Sequence, residues 1–558
     1  WDYSVGIGGP IVNDKLWFYT AHRWWGAQNF QAKTNYNLTP HTPFYTPDPD
    51  RPTWTDFYNQ DNSIRFTYQA TDRHKLTLSQ AFQTNCACHF WTQYGVADND
   101  AAVDYAYYPI NLTQATWTFP VSNSILIEAG GSFLRNLTAP RPQESVLPTD
   151  IAHYNFVPFV NYQAIGFNTC NPCLYGNEHD FPTQVYRGSI SYVTGTHNLK
   201  VGFNTRNAQE THGVSYMNNP LRYNFYMQKS YGGAMDYPFS VTQYGTPRNS
   251  RHTSNDLGIF AQDQWTLNRL TLNLGVRYDH VNAYYPDQSH PGDTAIEFFG
   301  AAATRFVPAF DVPGRQNVPN YHDIVPRLGA AYDLSGDGRT AIKATASRYG
   351  DRNAIALAGE LNPVGNNILM SRLWLDGAYG CLPHGTLPAH QGETCVPFDG
   401  LVQGDPLVPY PNGEIMDFNT TPGFASPEIT AFFDPDYANG WFKKAANWEF
   451  SGSIEHEFGN GMSMDVGYFR RAYVNYSAVD DRSNAASDWD EWTYNVPVDS
   501  RLPDGGGFPI TLVDLNPSAV AAPDNFTTNA NQYGGMSETW QGLDVNYGFR
   551  SEGVLFQG

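Results

Sequence analysis

The clearest pattern of apolar and polar positions in this chain lies between Leu257 and His280. From Leu270 to Tyr278 every second residue is apolar, and the residues between are polar or glycine. Successive side chains of a strand point to opposite faces, so this segment predicts a strand with one apolar and one polar face. Only Asn268 and Arg269 separate it from the preceding segment, which predicts an antiparallel hairpin. At about ten residues, the strand is long enough to cross a bilayer when tilted.

The same pattern predicts about sixteen strands in about eight hairpins along the chain. Turns within hairpins are short, whereas connections between hairpins run from about thirty to nearly a hundred residues. All long connections would therefore leave the strands at one end, as in outer-membrane barrels, which have short periplasmic turns and long extracellular loops. The hairpins are predicted at 3–25, 63–83, 114–134, 184–205, 257–280, 326–349, 447–470 and 540–558.

A large soluble β-sandwich or β-propeller would also alternate apolar and polar residues. Neither usually places every long loop at one end, and a propeller repeats at the length of a blade, which this sequence does not. We therefore predict an all-β fold: a transmembrane antiparallel β-barrel with long extracellular loops, whose apolar face contacts lipid.

Composition changes this picture little. A chain of 558 residues is too long for one ordinary core, but a barrel grows by adding strands. The net charge of −21 excludes nucleic acid as a favoured partner, whereas outer-membrane lipid requires only uncharged residues on the outer face. The sequence contains no run of 18 apolar residues, so no transmembrane helix is predicted. The mean hydropathy of −0.46 suits a barrel with a polar lumen and polar loops.

Five short segments follow one another along nearly the whole chain, at 8–19, 195–203, 257–280, 326–333 and 541–545. Together they resemble the barrel region of TonB-dependent outer-membrane receptors, in the subgroup with an N-terminal carboxypeptidase-regulatory-like domain. The resemblance implies the outer membrane of a Gram-negative bacterium and a plugged barrel of about 22 strands. It also implies import of an extracellular ligand, driven by the TonB complex.

The first residues lie in the middle of the strand pattern, so we interpret residues 1–558 as one partial transmembrane barrel. Against the strand number of the family, about one strand is expected before Tyr3 and about five after Gly558. The plug, the first strand and the C-terminal strands would then lie outside this chain. TonB would act through the absent N-terminal region.

Six cysteines fall in expected outer loops. An even number in an oxidising compartment predicts disulfides. The favoured local pairs are Cys170 with Cys173 and Cys381 with Cys395. One residue separates Cys86 from Cys88, so a bond between them would be strained, and each can pair elsewhere. A metal site at Cys86, Cys88 and His89 is the alternative, but it would need a fourth ligand.

Acidic residues cluster at 98–104, 480–481 and 488–491. Oxygen ligands of this kind can hold Ca²⁺. The glycine-bearing spacing of a helix–loop–helix calcium site is missing, so a solvated acidic surface is favoured and no cofactor is predicted.

Aromatic residues are frequent in the long connections, where flat rings could stack on sugars or grip a peptide. The alternative is that they form small cores within the loops. The candidate ligand-binding aromatics are Trp91, Tyr94, Tyr107, Trp374, Tyr379, Tyr410, Trp441 and Trp489.

Charged residues on the polar faces of predicted strands are expected to line the lumen and contact a plug. These residues are Arg65, Lys200, Arg277, Asp279, Lys343, Asp465 and Asp544. No nucleophile elbow, zinc-protease motif or phosphate-binding loop is present, so we predict no catalysis.

The sequence thus predicts a TonB-dependent importer whose loops capture a ligand that then passes the displaced plug. An aromatic, acidic mouth favours an oligosaccharide or a peptide over an anionic ferric chelate, which the acidic loops would repel. The alternative is a surface scaffold or adhesin, anchored by its barrel, whose long loops bind a partner.

Overall fold

A computed structural model describes residues 1–38, 40, 47–90, 102–145, 152–156, 177–214, 221–230, 233–244, 248–290, 309–350, 354–366, 369–373, 431–459, 461–519, 524–551 and 553–558. Within these ranges the protein is mostly antiparallel β-structure. It divides into two units: Trp1–Pro319 with Asn353–Glu428, and Asn320–Arg352 with Ile429–Gly558. No helix in the described ranges is both long and apolar enough to cross a membrane.

Ten long strands form an antiparallel meander in the first unit, each pairing with the next along the chain. They are β1 (Asp2–Val12), β2 (Leu16–Asn37), β3 (Pro47–Gln69), β4 (Lys75–Phe90), β5 (Val103–Pro120), β6 (Ile125–Arg135), β7 (Thr183–Thr194), β8 (His197–Val214), β9 (Arg248–Leu267) and β10 (Leu270–Tyr284).

Six strands, the last of only four residues, form a second meander in the second unit. They are β11 (Asn320–Asp333), β12 (Thr340–Gly350), β13 (Ala446–Gly459), β14 (Met462–Val474), β15 (Thr539–Ser551) and β16 (Val554–Gln557). The strands of the two meanders form the eight hairpins that the sequence predicts.

Further elements fill the connections. Their strands are Leu137–Pro142, Ala152–Phe156, Asn177–Asp180, Leu221–Ser230, Gly233–Tyr244, Gln288–His290, Phe310–Val312, Leu369–Leu373, Ala431–Phe433, Asn439–Trp441, Ser477–Asp481, Trp489–Asn495, Pro509–Leu515 and Asn525–Asn529. The helices are α1 (Ala354–Glu360), α2 (Pro363–Asn366) and α3 (Pro435–Ala438), with 3₁₀ turns at Ala486–Asp488, Pro503–Gly505, Pro517–Ala519 and Ala530–Tyr533.

Several strands are longer than the alternation predicts. Strands β2 and β3 have 22 and 23 residues, against an expected length of about ten. Pairing continues past the apolar segment because the ladder joins backbone groups, whatever the side chains. Cys86 and Cys88 therefore lie in β4 and Tyr107 in β5, where the sequence predicted loops. The first turn contains only Asn13, Asp14 and Lys15, since β1 continues to Val12 and β2 begins at Leu16.

The apolar side chains lie in rows across neighbouring strands. In the first unit, pairing in register aligns Ile190, Val201, Ala261 and Val276 on one face of β7 to β10. About half of the Val201 and Val276 surface is exposed. In the second unit the corresponding row is Ile342, Ile454, Val466 and Val545. Each unit therefore has an exposed apolar face and, on the other side of the sheet, a polar face.

The tight hairpin predicted at Asn268 and Arg269 is present. Leu267 of β9 pairs with Leu270 of β10, so only two residues form the turn. Asn268 has a φ of 51°, a left-handed conformation that asparagine tolerates better than most residues. The turn and Gly195, which also has a positive φ, mark the short-turn end of β8, β9 and β10.

Candidate functional site

Ion pairs occupy the polar face of the first unit. Lys200 Nζ lies 3.1 Å from Glu128 Oε2. Arg206 Nη2 lies 2.7 Å from Asp256 Oδ2, between β8 and β9. Arg277 pairs with Asp279 two residues further along β10. The structure thus places three predicted lumen residues, Lys200, Arg277 and Asp279, on one polar face; that this face lines a lumen stays a prediction.

The partners Glu128, Arg206 and Asp256 were not singled out from the sequence. Each occupies a position of its strand that faces the same side as the predicted lumen residues. The alternation of faces along the strand is therefore the signal that could have identified them. Arg65, the remaining predicted lumen residue of this unit, lies exposed in β3 and pairs in register with Ser79 of β4.

Charged residues also converge on the polar face of the second unit. Lys343 Nζ donates a hydrogen bond to Glu455 Oε2, across β12 and β13. Asp465 of β14 pairs in register with the same Glu455. Asp544 lies opposite Gly467, on the next strand. The three predicted residues Lys343, Asp465 and Asp544 therefore share one face.

A loop segment covers the polar face of the first unit at the end opposite the short turns. Asn362, between α1 and α2, is fully buried. Its Nδ2 donates to Ser250 Oγ at 3.0 Å and to the Arg251 carbonyl oxygen at 3.3 Å. Its Oδ1 accepts from Gln288 Nε2 at 3.2 Å and from the Val364 backbone N–H at 3.2 Å. These bonds hold both short helices over β9, at the end of the strands that carries the long loops.

A buried ion pair lies at the long-loop end of the second unit. Arg348 Nη1 of β12 donates to Asp323 Oδ1 of β11 at 2.8 Å, and both side chains are more than nine-tenths buried. The Arg348 guanidinium also lies 5.4 Å from the ring centre of Phe442. A buried charge is costly without its counter-charge, and here each of the two charges has one, so the pair links β11 to β12 at this end of the strands.

Two of the eight candidate aromatics have described side chains. Trp441 is half exposed and lies beside His322, with ring centres 5.2 Å apart. Trp489 is also exposed, at the start of a hairpin formed by Trp489–Asn495 and Pro509–Leu515. Whether they bind a ligand or form a small core of the loops stays a prediction. Five candidates lie outside the described residues: Trp91, Tyr94, Trp374, Tyr379 and Tyr410.

The structure places the sulfurs of Cys86 and Cys88 within bonding distance of each other, although the sequence favoured other partners; the disulfide itself stays a prediction. Residues two apart on a strand point to the same side, which brings the two sulfurs together. Their neighbour His89 instead contacts Asp56, with Nδ1 and Oδ1 3.0 Å apart. Cys170, Cys173, Cys381 and Cys395 lie outside the described residues.

In the acidic connection around Asp481, nearby residues donate hydrogen bonds to the carboxylate. Asp481 accepts hydrogen bonds from the Ser483 hydroxyl, the Asn484 amide and the Asp524 backbone N–H. The Ser483 hydroxyl and these further donors hold the pKa of Asp481 below its usual range. Positions 98–100 lie outside the described residues, and Ca²⁺ binding stays a prediction.

Comparisons with known proteins agree with this architecture. The family described as "Outer membrane beta barrel domain" matches residues 50–547. The TonB-dependent transporter Oar of Myxococcus xanthus is 30% identical over 145 residues, which are 26% of this chain and 11% of that protein.

Two solved structures resemble the whole of this chain. The outer membrane transporter YddB of Escherichia coli matches with a TM-score of 0.52 and 10% identity, over 98% of this chain and 51% of that one. The siderophore receptor PirA of Acinetobacter baumannii matches with a TM-score of 0.49 and 10% identity, over 98% and 57%. This chain thus spans about half the length of the solved relatives, and its match to Oar covers about a ninth of that protein.

The family match covers most of the chain, and the likeness to YddB shows the same fold. Oar and YddB are both named as transporters. The exposed apolar faces of both units are accordingly surfaces for the lipid of a Gram-negative outer membrane. This chain belongs to the outer membrane beta barrel domain family, and its strands have the transmembrane barrel fold of TonB-dependent receptors, as its five sequence segments indicated.

Proposed function

We propose that the full protein is a TonB-dependent importer that captures an extracellular ligand at its long loops and passes it along the polar faces described above. The observation that carries the proposal is the family match over residues 50–547, together with a relative named as a TonB-dependent transporter. Paired charges along the polar face support it, because a solvated path needs polar walls whose charges are balanced.

The ligand we propose is an oligosaccharide or a peptide. Exposed Trp441 and Trp489 offer flat rings for stacking on sugars or on peptide side chains. The net charge of −21 disfavours an anionic ferric chelate. PirA is named as a siderophore receptor, but its likeness to this chain concerns the fold alone.

The test uses the full-length protein, expressed in a Gram-negative host with and without a working TonB. Uptake of fluorescent oligosaccharides, of peptides and of a ferric siderophore is measured in both strains. We expect uptake of a glycan or a peptide that disappears without TonB. Uptake confined to the ferric siderophore would reject the proposed ligand class.

The alternative of a barrel-anchored scaffold or adhesin gives a different result. It predicts surface binding that is equal in both strains, with no accumulation inside the cell. That outcome would reject import altogether. Trp441→Ala and Trp489→Ala should weaken ligand binding. Trp24→Ala is the matched control, because Trp24 of β2 lies on the exposed apolar face, away from the polar face.

A further inference from the structure

Two histidines and one glutamate converge on the polar face of the first unit, near the long-loop ends of β8 and β9. Glu210 and His212 are two residues apart on β8, so their side chains point to the same side. His252 of β9 is the direct register partner of Glu210. The alternation of apolar and polar residues predicts that this strand ends near residue 205, so it does not indicate any of the three.

The three side chains aim their ligand atoms at one point. His212 Nε2 contacts Glu210 Oε1, and His252 Nε2 lies 3.1 Å from Glu210 Oε2. One potential ligand atom from each residue lies within 4.8 Å of the other two. A tetrahedral ion with bonds of about 2.0–2.1 Å needs its ligand atoms about 3.4 Å apart, so small side-chain rotations would complete such a site.

The surroundings restrict the histidines. The His252 side chain is only 6% exposed. Helix α1 covers it closely, because a Cβ built on Gly359 would lie 3.1 Å from the His252 ring. The His179 ring, on the neighbouring strand Asn177–Asp180, stands 4.2 Å from the ring of His212. A third imidazole therefore stands beside the cluster.

We propose that Glu210, His212 and His252 form a binding site for a divalent transition-metal ion of the zinc type. Two imidazoles and a carboxylate suit Zn²⁺, Co²⁺ or Ni²⁺, whereas Ca²⁺ and Mg²⁺ prefer oxygen ligands alone. Three protein ligands leave a fourth position open to water or to a ligand atom. The ion replaces the protons that otherwise lie between each imidazole and the carboxylate, so it also ties β8 to β9 beneath α1.

The site goes beyond the proposed import function and does not depend on it. Metal binding is measured on the purified protein, so a negative result would leave import untouched. Loss of TonB-dependent uptake would likewise leave the metal site standing.

The experiment uses the full protein in detergent, without a histidine tag, dialysed against Zn²⁺ and analysed for bound metal. We expect one retained equivalent per chain, weakened at least about tenfold by His212→Gln, His252→Gln or Glu210→Gln. Co²⁺ should give the visible absorption bands of a four-coordinate complex, and Ca²⁺ should not displace it. Zn²⁺ should also raise the melting temperature of the wild type but not of the His212→Gln variant.

His197→Gln is the matched control. His197 Nδ1 lies 2.7 Å from Asp263 Oδ2 at the short-turn end, as a histidine–carboxylate pair rather than a group of three. This variant should retain the full equivalent of zinc. Equal retention by the His212, His252 and control variants, or no stoichiometric metal in the wild type, would overturn the site.

Heat-dependent gel mobility would reveal a variant that fails to fold. A second measurement, made on the wild type alone, tests the site in that case. The zinc-edge X-ray absorption of the wild type should show nitrogen and oxygen neighbours at about 2.0–2.1 Å, with imidazole scattering. Sulfur neighbours, or oxygen alone, would place the ion elsewhere and reject the assignment.

Discussion

Single residues at the strand ends stabilise connections that the apolar pattern does not reach. Asp323 and Arg348 are buried together in the second unit, and Asp434 caps α3. None of these stands out in the sequence, because a charged residue near the end of a strand is usually solvated. Their roles follow from burial and from partners that lie far away along the chain.

Replacement of Asp323 by Asn should destabilise the protein strongly. It leaves the Arg348 guanidinium buried without its counter-charge, which costs about 3–5 kcal/mol. The measurement is denaturant unfolding of the protein in detergent micelles. Asp2→Asn is the control, since the Asp2–Arg23 pair is half exposed and its loss should cause no measurable change. Equal stability of both variants would contradict this role.

Asp434 should make the stability of the segment around α3 sensitive to acid. Its carboxylate accepts hydrogen bonds from Thr528, from the Asp436 backbone N–H and from Gln532. The Thr528 hydroxyl and the other donors lower the pKa of Asp434. The carboxylate therefore stabilises the fold above its unfolded pKa of about 3.9, and this is lost as pH falls through the lower folded value.

Amide hydrogen exchange, corrected for intrinsic rates, tests this at about pH 6 and about pH 3. Protection of Asn525–Asn529 should fall on acidification in the wild type. Asp434→Ala should lose about 1 kcal/mol, or about fivefold in protection, already at the higher pH. Unchanged protection in the acidified wild type would refute the assignment.

At the scale of elements, most of what the sequence predicted about the strands came from the alternation of apolar and polar residues. The eight hairpins and the turn at Asn268 follow from local periodicity and turn chemistry, which need no tertiary contact. The positions at which strands end could not be predicted from this local pattern. Beyond the bilayer both faces meet water or other loops, so the sequence from 206 to 214 no longer alternates, although β8 continues to Val214.

A charge on the apolar face of an element should prevent membrane insertion. Val201→Arg puts a guanidinium into lipid, which costs about 2–4 kcal/mol near the middle of the bilayer. Gln262→Arg is matched in depth, because Gln262 pairs with Lys200 on the opposite, polar face. Folding into phospholipid vesicles, followed by gel mobility, should fall for the first variant alone. Equal yields would mean that Val201 does not face lipid.

At the scale of the whole molecule, net charge should govern how charged ligands arrive. A chain of charge −21 attracts cations and repels anions over distances that salt shortens. Association of a cationic peptide should slow when salt rises from about 10 mM to about 150 mM, whereas an anionic peptide of equal length should speed up. Stopped-flow fluorescence measures both. Rates independent of salt would show that the acidic surface does not steer ligands.

The sequence by itself determined the all-β class, the hairpin order and the family, because alternation and turn residues act over a few neighbours. It also placed Lys200, Arg277 and Lys343 on polar faces by parity alone. Only the tertiary structure decided which of these charges meet, since Glu128 lies 72 residues from Lys200. The cluster of Glu210, His212 and His252 likewise depends on register between strands, which brings together residues that no local pattern connects.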